Sequence, residues 1–350
     1  MVFELHRGTN ISHWLSQSTR RGEERVAWFT QDDVRHIAGL GFDHIRLPFD
    51  EEQLWDEQGN LEPEALQLLE SALDWCQEAG LRVVLDLHIL RSHHFISREQ
   101  PALFTDPEEA QRFAGLWRSL SQRLHERPTD QVAYELLNEA VAQDPAAWNR
   151  VAHTAYRALR ELEPERTIVL GSNEWNSPHT YDQLEVPSGD PNLILTFHFY
   201  EPAPVTHYRA HWTPIGRYTG PVQYPGPPIP PEGLDQARAI FGELAETRGL
   251  SADQVERRFR EATAPYTRAS MEGSIAKPLA ARAATGLPLY CGEFGCIELC
   301  PHEVRSAWYR DIVWVFKEHG IAWANWDYKG GFGIITPSGR DTGIAELLLS

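Results

Sequence analysis

Eight short runs of β-prone residues, separated by stretches of helical periodicity or long loops, constrain this chain of 350 residues more than any other feature. The runs are FELHRGTN, FDHIRLPF, LRVVLDLH, QVAYELLNE, RTIVLGS, LILTFHFY, LPLYCGEF and IAWANWDY. Helices are predicted over Pro63–Ala79, Pro107–Glu126, Pro145–Glu163 and His302–His319. In the first of these, Leu66, Leu69, Leu73 and Cys76 recur at helical spacing. Pro stands near several starts, and Gly80 and Gly320 lie just past two ends, as helix punctuation requires. Strands alternating with helices pair in parallel, and apolar runs without in–out alternation are buried on both faces. Eight such units close into an α/β fold of the (β/α)8 TIM-barrel type.

Nothing in the sequence marks a second domain, so residues 1–350 read as one catalytic domain. The exception to the simple repeat is residues 201–286, a long insertion between strands 6 and 7. It contains the Pro- and Gly-rich PVQYPGPPIPPEG, then a helical stretch over Ser251–Ala284 with a break expected at Pro265. Because it follows the C-terminal end of a barrel strand, it is expected to form part of the active-site wall.

Barrel chemistry sits at the C-terminal strand ends. Those ends carry Arg46, His88, Asn138–Glu139, His198, Tyr200, Glu293 and Trp326. Two carboxyls on the fourth and seventh strands can face each other across the barrel mouth. One kept protonated and one kept ionised form the pair that glycoside hydrolysis uses, and their separation decides between retention and inversion. Trp326 and Trp323 point to opposite sides of one strand, which leaves Trp326 as the ring able to stack on a sugar. His13, Trp14, Asp327 and Lys329 are further candidates for sugar contacts.

The ordered segments RGTNISHWL, IRLPFD, LDLH, LLNEA, FHFYEP, CGEFG and WANWDYKGGFGI span residues 7 to about 341. In that order they resemble glycoside hydrolase family 5, the cellulase and mannanase family. The resemblance implies that Glu139 is the general acid/base and Glu293 the nucleophile of a retaining double displacement. It implies that Asn138 binds the 2-hydroxyl of the attacked sugar and that Arg46 and Tyr200 steady Glu293. His88 and His198 would bind the sugar or neighbouring carboxyls, and Trp326 would be the stacking platform. No metal or organic cofactor is implied. The implied substrate is a β-linked oligo- or polysaccharide, foremost a β-1,4-glucan. A β-mannanase or an exo-acting β-glucosidase or β-mannosidase is the alternative within the family. The chain departs from many members at ILRSHHF after LDLH.

Composition excludes other classes. A formal charge of −18 repels a polyanion, which sets nucleic-acid partners aside. No apolar run reaches membrane-span length. MVFELHRGTNISHWL lacks a basic region followed by an apolar core, so the chain is expected in the cytoplasm, or secreted if the start Met replaces a leader. Cys76, Cys291, Cys296 and Cys300 fit no disulfide framework and no common zinc spacing. His207 and His211 have i, i+4 spacing, but Tyr208 occupies the place where a zincin has Glu. A metal-dependent hydrolase and a carbohydrate-binding barrel without catalysis are therefore the remoter readings. Both carboxylates that catalysis needs are present. The sequence leaves the oligomeric state open.

Overall fold

A computed structural model describes residues 3–97, 99–248 and 251–350. Eight strands form a closed barrel in sequence order. They are β1 (Arg7–Asn10), β2 (His44–Asp50), β3 (Arg82–Ile89), β4 (Val132–Glu135), β5 (Ile168–Gly171), β6 (Leu193–Phe199), β7 (Leu289–Phe294) and β8 (Ala322–Asn325). The pairing is parallel, and β1 closes the ring against β8 through Gly8 opposite Ala324. Each expected strand is present, though β4 ends at Glu135, so Asn138 and Glu139 stand on the loop beyond it.

The helices form where their caps and apolar stripes dictate. Those at Pro63–Ala79, Pro107–Leu124 and Pro145–Leu162 each start on Pro. The preceding acids Glu62, Asp106 and Asp144 accept backbone N–H groups of the first turn. Gly80 ends the first helix at φ 73°, where a side chain would be strained. That helix buries Ala65, Leu68, Leu69, Ala72, Leu73 and Cys76, while Leu66 lies at the edge of the stripe, half-buried. The helix His302–Glu318 ends one residue earlier than expected.

Two compact units make up the chain. The first holds residues 1–198, 276–293 and 321–328 and contains nearly all of the barrel. Its lowest inward layer joins Phe3 and Leu5 to Val84, Ala133, Val169, Ile194, Tyr290 and Ala324. Side chains alternate along a strand, so the positions two residues on form the next inward layer. They are Asp86, Glu135, Gly171, Thr196, Gly292 and Trp326. The floor is thus apolar and the layer above it polar.

The second unit holds residues 199–275, 294–320 and 329–350. The stretch expected to be helical forms Ala252–Thr263, Arg268–Ser274 and Ala276–Thr285, with the break at Pro265 as anticipated. The last of these helices belongs to the first unit, where it packs on the short turn Pro178–Gln183. No helix among the described residues is long and apolar enough to cross a membrane.

Candidate active site

Arg46 organises the polar layer. It is fully buried, and β1–β2 register places it beside Asn10. Its Nε donates to Glu135 Oε2 at 2.7 Å and its Nη1 to Glu293 Oε1 at 2.7 Å and Asn10 Oδ1 at 2.9 Å. Nη2 faces Glu135 Oε1 at 3.1 Å, Asn138 Oδ1 at 3.0 Å and Asp86 Oδ2 at 3.0 Å. Only a planar guanidinium presents donors along so many directions at once. Burial by itself would lower its pKa, but Asp86, Glu135 and Glu293 outweigh that and hold it well above the ordinary value. Gly292 makes room for this fork: a Cβ there would lie 2.8 Å from Thr196 Oγ1 and 3.5 Å from Arg46 Nε.

One guanidinium faces more carboxyls than it can neutralise. Burial lifts Asp86 and Glu135 to about 7 each, even with Arg46 opposing it. Glu139 is raised well above the carboxylate range, first by burial and then by the charge of Glu293, with Arg46 again opposing. Glu139 is therefore disposed to hold a proton near neutrality.

His198 connects the two glutamates. Its Nδ1 lies 2.9 Å from Glu139 Oε1 and 3.7 Å from Glu293 Oε2. Its other nitrogen meets Asn176 Nδ2 at 3.3 Å. Burial, then the charges of Arg46 and His88, hold its pKa well below 6.5, so the ring is neutral. One oxygen from each of Glu139 and Glu293, together with a His198 nitrogen, lie within 4.8 Å of one another. A small cation could bridge such a triangle, but Arg46 already supplies Glu293 with a counter-charge at 2.7 Å.

The opposite wall is built on His88 and Trp326. Their rings stack 5.7 Å apart at 10°. His88 Nδ1 sits 2.6 Å from Asp86 Oδ2 and Nε2 lies 2.8 Å from Gln17 Nε2, which places the ring proton on Nδ1. Burial lowers the His88 pKa to about 3. His13 meets Trp326 edge-on at 6.4 Å. Asn138 Nδ2 is buried without a partner among the described residues, which leaves it free to donate to a ligand.

The sequence candidates thus divide. Arg46, His88, Asn138, Glu139, His198, Glu293, Trp326 and His13 all belong to the first unit. Arg46, expected at a strand end, is the third residue of β2 and reaches Glu293 from inside the barrel by the length of its side chain. Trp14 is fully buried, donates its indole N–H to the Arg25 carbonyl and packs on Phe29, so it has no face for a sugar. Asp327 is also buried and accepts from Ser12 Oγ. Tyr200 and Lys329 lie in the second unit, where Tyr200 packs on His207 and Phe332 and Lys329 bridges to Ile335.

Sequence reasoning passed over Asn10, Asp86, Glu135, Asn176 and Gln17. Asp86 and Glu135 carried a legible signal: each is an acid inside an apolar strand, at the same inward parity as a strand-end residue. Asn176 carried none, because its place depends on a loop after β5 in which Glu174, Trp175 and Asn176 all have positive φ.

The family model for cellulase (glycosyl hydrolase family 5) matches residues 7–331. Endoglucanase C of Acetivibrio thermocellus is 32% identical over 327 residues, covering 92% of this chain and 90% of that protein. Cellodextrinase A of Ruminococcus flavefaciens is 29% identical over 318 residues, covering 90% and 83%. Among solved structures, Thermotoga maritima Cel5A in complex with cellobiose superposes with a TM-score of 0.74 at 22% identity, covering 99% of this chain and 97% of that one. That last likeness speaks to the fold.

Proposed function

The chain belongs to the cellulase family, glycosyl hydrolase family 5, and we propose that it cleaves β-1,4-linked glucan or its soluble oligosaccharides with Glu139 as acid/base and Glu293 as nucleophile. It is a retaining glycoside hydrolase. The observation that carries the residue roles is the pair of glutamates within 4.8 Å, one held by a guanidinium and the other kept protonated by burial. Their approach fits the short separation of retaining enzymes, about 5–5.5 Å, and leaves no room for the water of inversion.

In the first step the Glu139 proton passes to the glycosidic oxygen as its bond to C1 breaks. A Glu293 oxygen forms the new bond to C1. Arg46 keeps that carboxylate ionised and aimed, which is stabilisation already in place when charge develops at the sugar. In the second step Glu139, now ionised, takes a proton from water; the water oxygen bonds to C1 and the Glu293 ester opens. Asn138 Nδ2 is available for the 2-hydroxyl, and Trp326, backed by His88, offers a flat face to the attacked sugar. No step calls on a metal or organic cofactor. The names of the two relatives, an endoglucanase and a cellodextrinase, support glucan as the substrate.

A 2-deoxy-2-fluoro β-cellobioside with an activated leaving group tests this reading. Peptide mapping should locate the trapped sugar on Glu293, and turnover of cello-oligosaccharides should first release the β-anomer. Label on another residue, or an α-product, overturns the assignment. Manno-oligosaccharides turned over in preference to cello-oligosaccharides would overturn the substrate and leave the roles standing.

A further inference from the structure

We infer that Asn176 is a positioning residue whose side-chain amide takes two orientations, letting His198 move its ring proton between nitrogens as Glu139 gains and loses its own. The inference rests on the acid/base role given to Glu139 above. It concerns a residue that touches neither substrate nor the reacting atoms.

The geometry contains an imbalance. Asn176 is fully buried, its Nδ2 lies 3.3 Å from His198 Nε2, and its Oδ1 has no hydrogen-bond partner among the described residues. A buried carbonyl oxygen without a partner is costly, and retained cases call for a physical account. The backbone is held at φ 51° within three successive residues of positive φ, a costly conformation that aims this amide at His198. Gly171 lies directly against it: a Cβ there would come within 2.5 Å of Oδ1 and 2.9 Å of Nδ2. Either end of the amide therefore has glycine backbone, not a side chain, beside it.

The two orientations match the two states of the acid. When Glu139 is ionised, His198 Nδ1–H donates to its Oε1, 2.9 Å away. His198 Nε2 is then a lone pair and accepts from Asn176 Nδ2. When Glu139 is protonated, its O–H donates to His198 Nδ1, which must be the lone pair. The ring proton now resides on Nε2 and needs an acceptor, and half a turn of the amide supplies Oδ1. An Asn amide carries a donor and an acceptor that half a turn interchanges. Histidine tautomers are set by the hydrogen bond at the far nitrogen. The ring stays neutral throughout, because burial and then the charges of Arg46 and His88 hold its pKa well below 6.5. Glu139 in turn feels Glu293, Arg46, Asp86 and Glu135, while Asn176 faces the far nitrogen of His198.

The test is 15N NMR of His198 across the titration of Glu139 in the free protein, with the signal assigned by its loss in His198→Gln. The expected result is Nδ1 changing from a bare to a protonated nitrogen as pH rises, with the reverse at Nε2. In Asn176→Asp, whose ionised carboxylate can only accept, the ring should stay in one tautomer, the Nε2–H form. The step that needs Glu139 as base should then slow by about tenfold, equivalent to a shift of one pK unit. With 2,4-dinitrophenyl β-cellobioside that appears as kcat and KM falling together while kcat/KM is unchanged. Should the aspartate variant not fold, the wild-type titration alone decides. A single His198 tautomer across the wild-type titration overturns the inference, as does unchanged switching in the folded variant. The NMR result stands whether or not glucan is the substrate.

Discussion

Arg46 stands between Glu135 and Glu293, 2.7 Å from an oxygen of each. Glu135 grips the guanidinium along its Nε–Nη2 edge, and that grip turns Nη1 toward Glu293. The pair explains why an acid is buried inside β4. Replacing Glu135 with Gln removes charge but keeps shape, so Arg46 loses its anchor. We expect kcat to fall by about tenfold to a hundredfold, the scale of losing a well-placed electrostatic partner, with KM within about twofold. Steady-state kinetics beside a circular-dichroism melt measures this. A large rise in KM with kcat unchanged would place Glu135 in substrate binding instead.

Arg46→Lys tests the fork itself. A lysine presents one compact charge and cannot meet Glu135, Asn10, Asn138, Asp86 and Glu293 together. Activity should drop by at least about a hundredfold, as when a preorganised donor is lost. Kinetic recovery of Arg46→Lys by added guanidinium ion would support the role, and near-wild-type activity in the lysine variant would refute it.

Glu139→Ala should separate the two chemical steps. Cello-oligosaccharides, whose leaving groups need a proton, should lose about two to four orders of magnitude, the usual worth of general acid catalysis. An aryl cellobioside with a good leaving group should still react in its first step. Added azide should then attack the glycosyl-enzyme and yield a β-glycosyl azide, detectable by NMR. Absence of any azide product, with the protein folded, would remove Glu139 from the acid/base role.

The legible part of the molecule was the part written in local chemistry. Glu139, His198 and Glu293 could be read because each is a functional group at or just past the end of a strand run, and the barrel rule assigns such places to chemistry. Arg46 was singled out by the same rule although it lies inside β2. Asp86 and Glu135 were equally visible as letters but ask a different question, namely what a buried acid pairs with, and only the closed ring brings Arg46 to them. Trp14 shows the reverse error: it sits beside His13 in sequence, yet the chain turns its indole into the Arg25 carbonyl. Asn176 could not be read at all, since three consecutive left-handed residues without glycine carry no sequence signature.

Chelation gives a contrasting expectation. Glu139, His198 and Glu293 are close enough to hold an ion, yet a cation there would compete with Arg46 for Glu293 and with the proton for Glu139. Activity should survive EDTA treatment unchanged, and millimolar zinc should inhibit in competition with substrate. Loss of activity on chelation, restored by one divalent ion, would overturn the metal-free mechanism.

Asp50 offers a pH test independent of catalysis. It is buried at the end of β2, and its Oδ2 accepts the Gln17 backbone N–H at 2.7 Å while Oδ1 has no partner among the described residues. Burial, opposed by the nearby polar groups of Ser16 and Gln17, raises its pKa from 3.8 to about 7. A carboxyl that binds its proton more tightly folded than unfolded favours the fold at low pH. That advantage is lost as pH rises from 3.8 to about 7, after which the loss levels off. Asn at this position keeps an acceptor for Gln17 and never ionises. The stability of Asp50→Asn relative to wild type should therefore grow by on the order of 1.4 kcal/mol per pH unit across that window and stay constant above it. Urea unfolding at pH 5, 6, 7 and 8 measures the difference directly. A gap that does not change between pH 5 and 7 would mean that Asp50 is ionised in the folded protein throughout, with its charge met by a group other than Gln17.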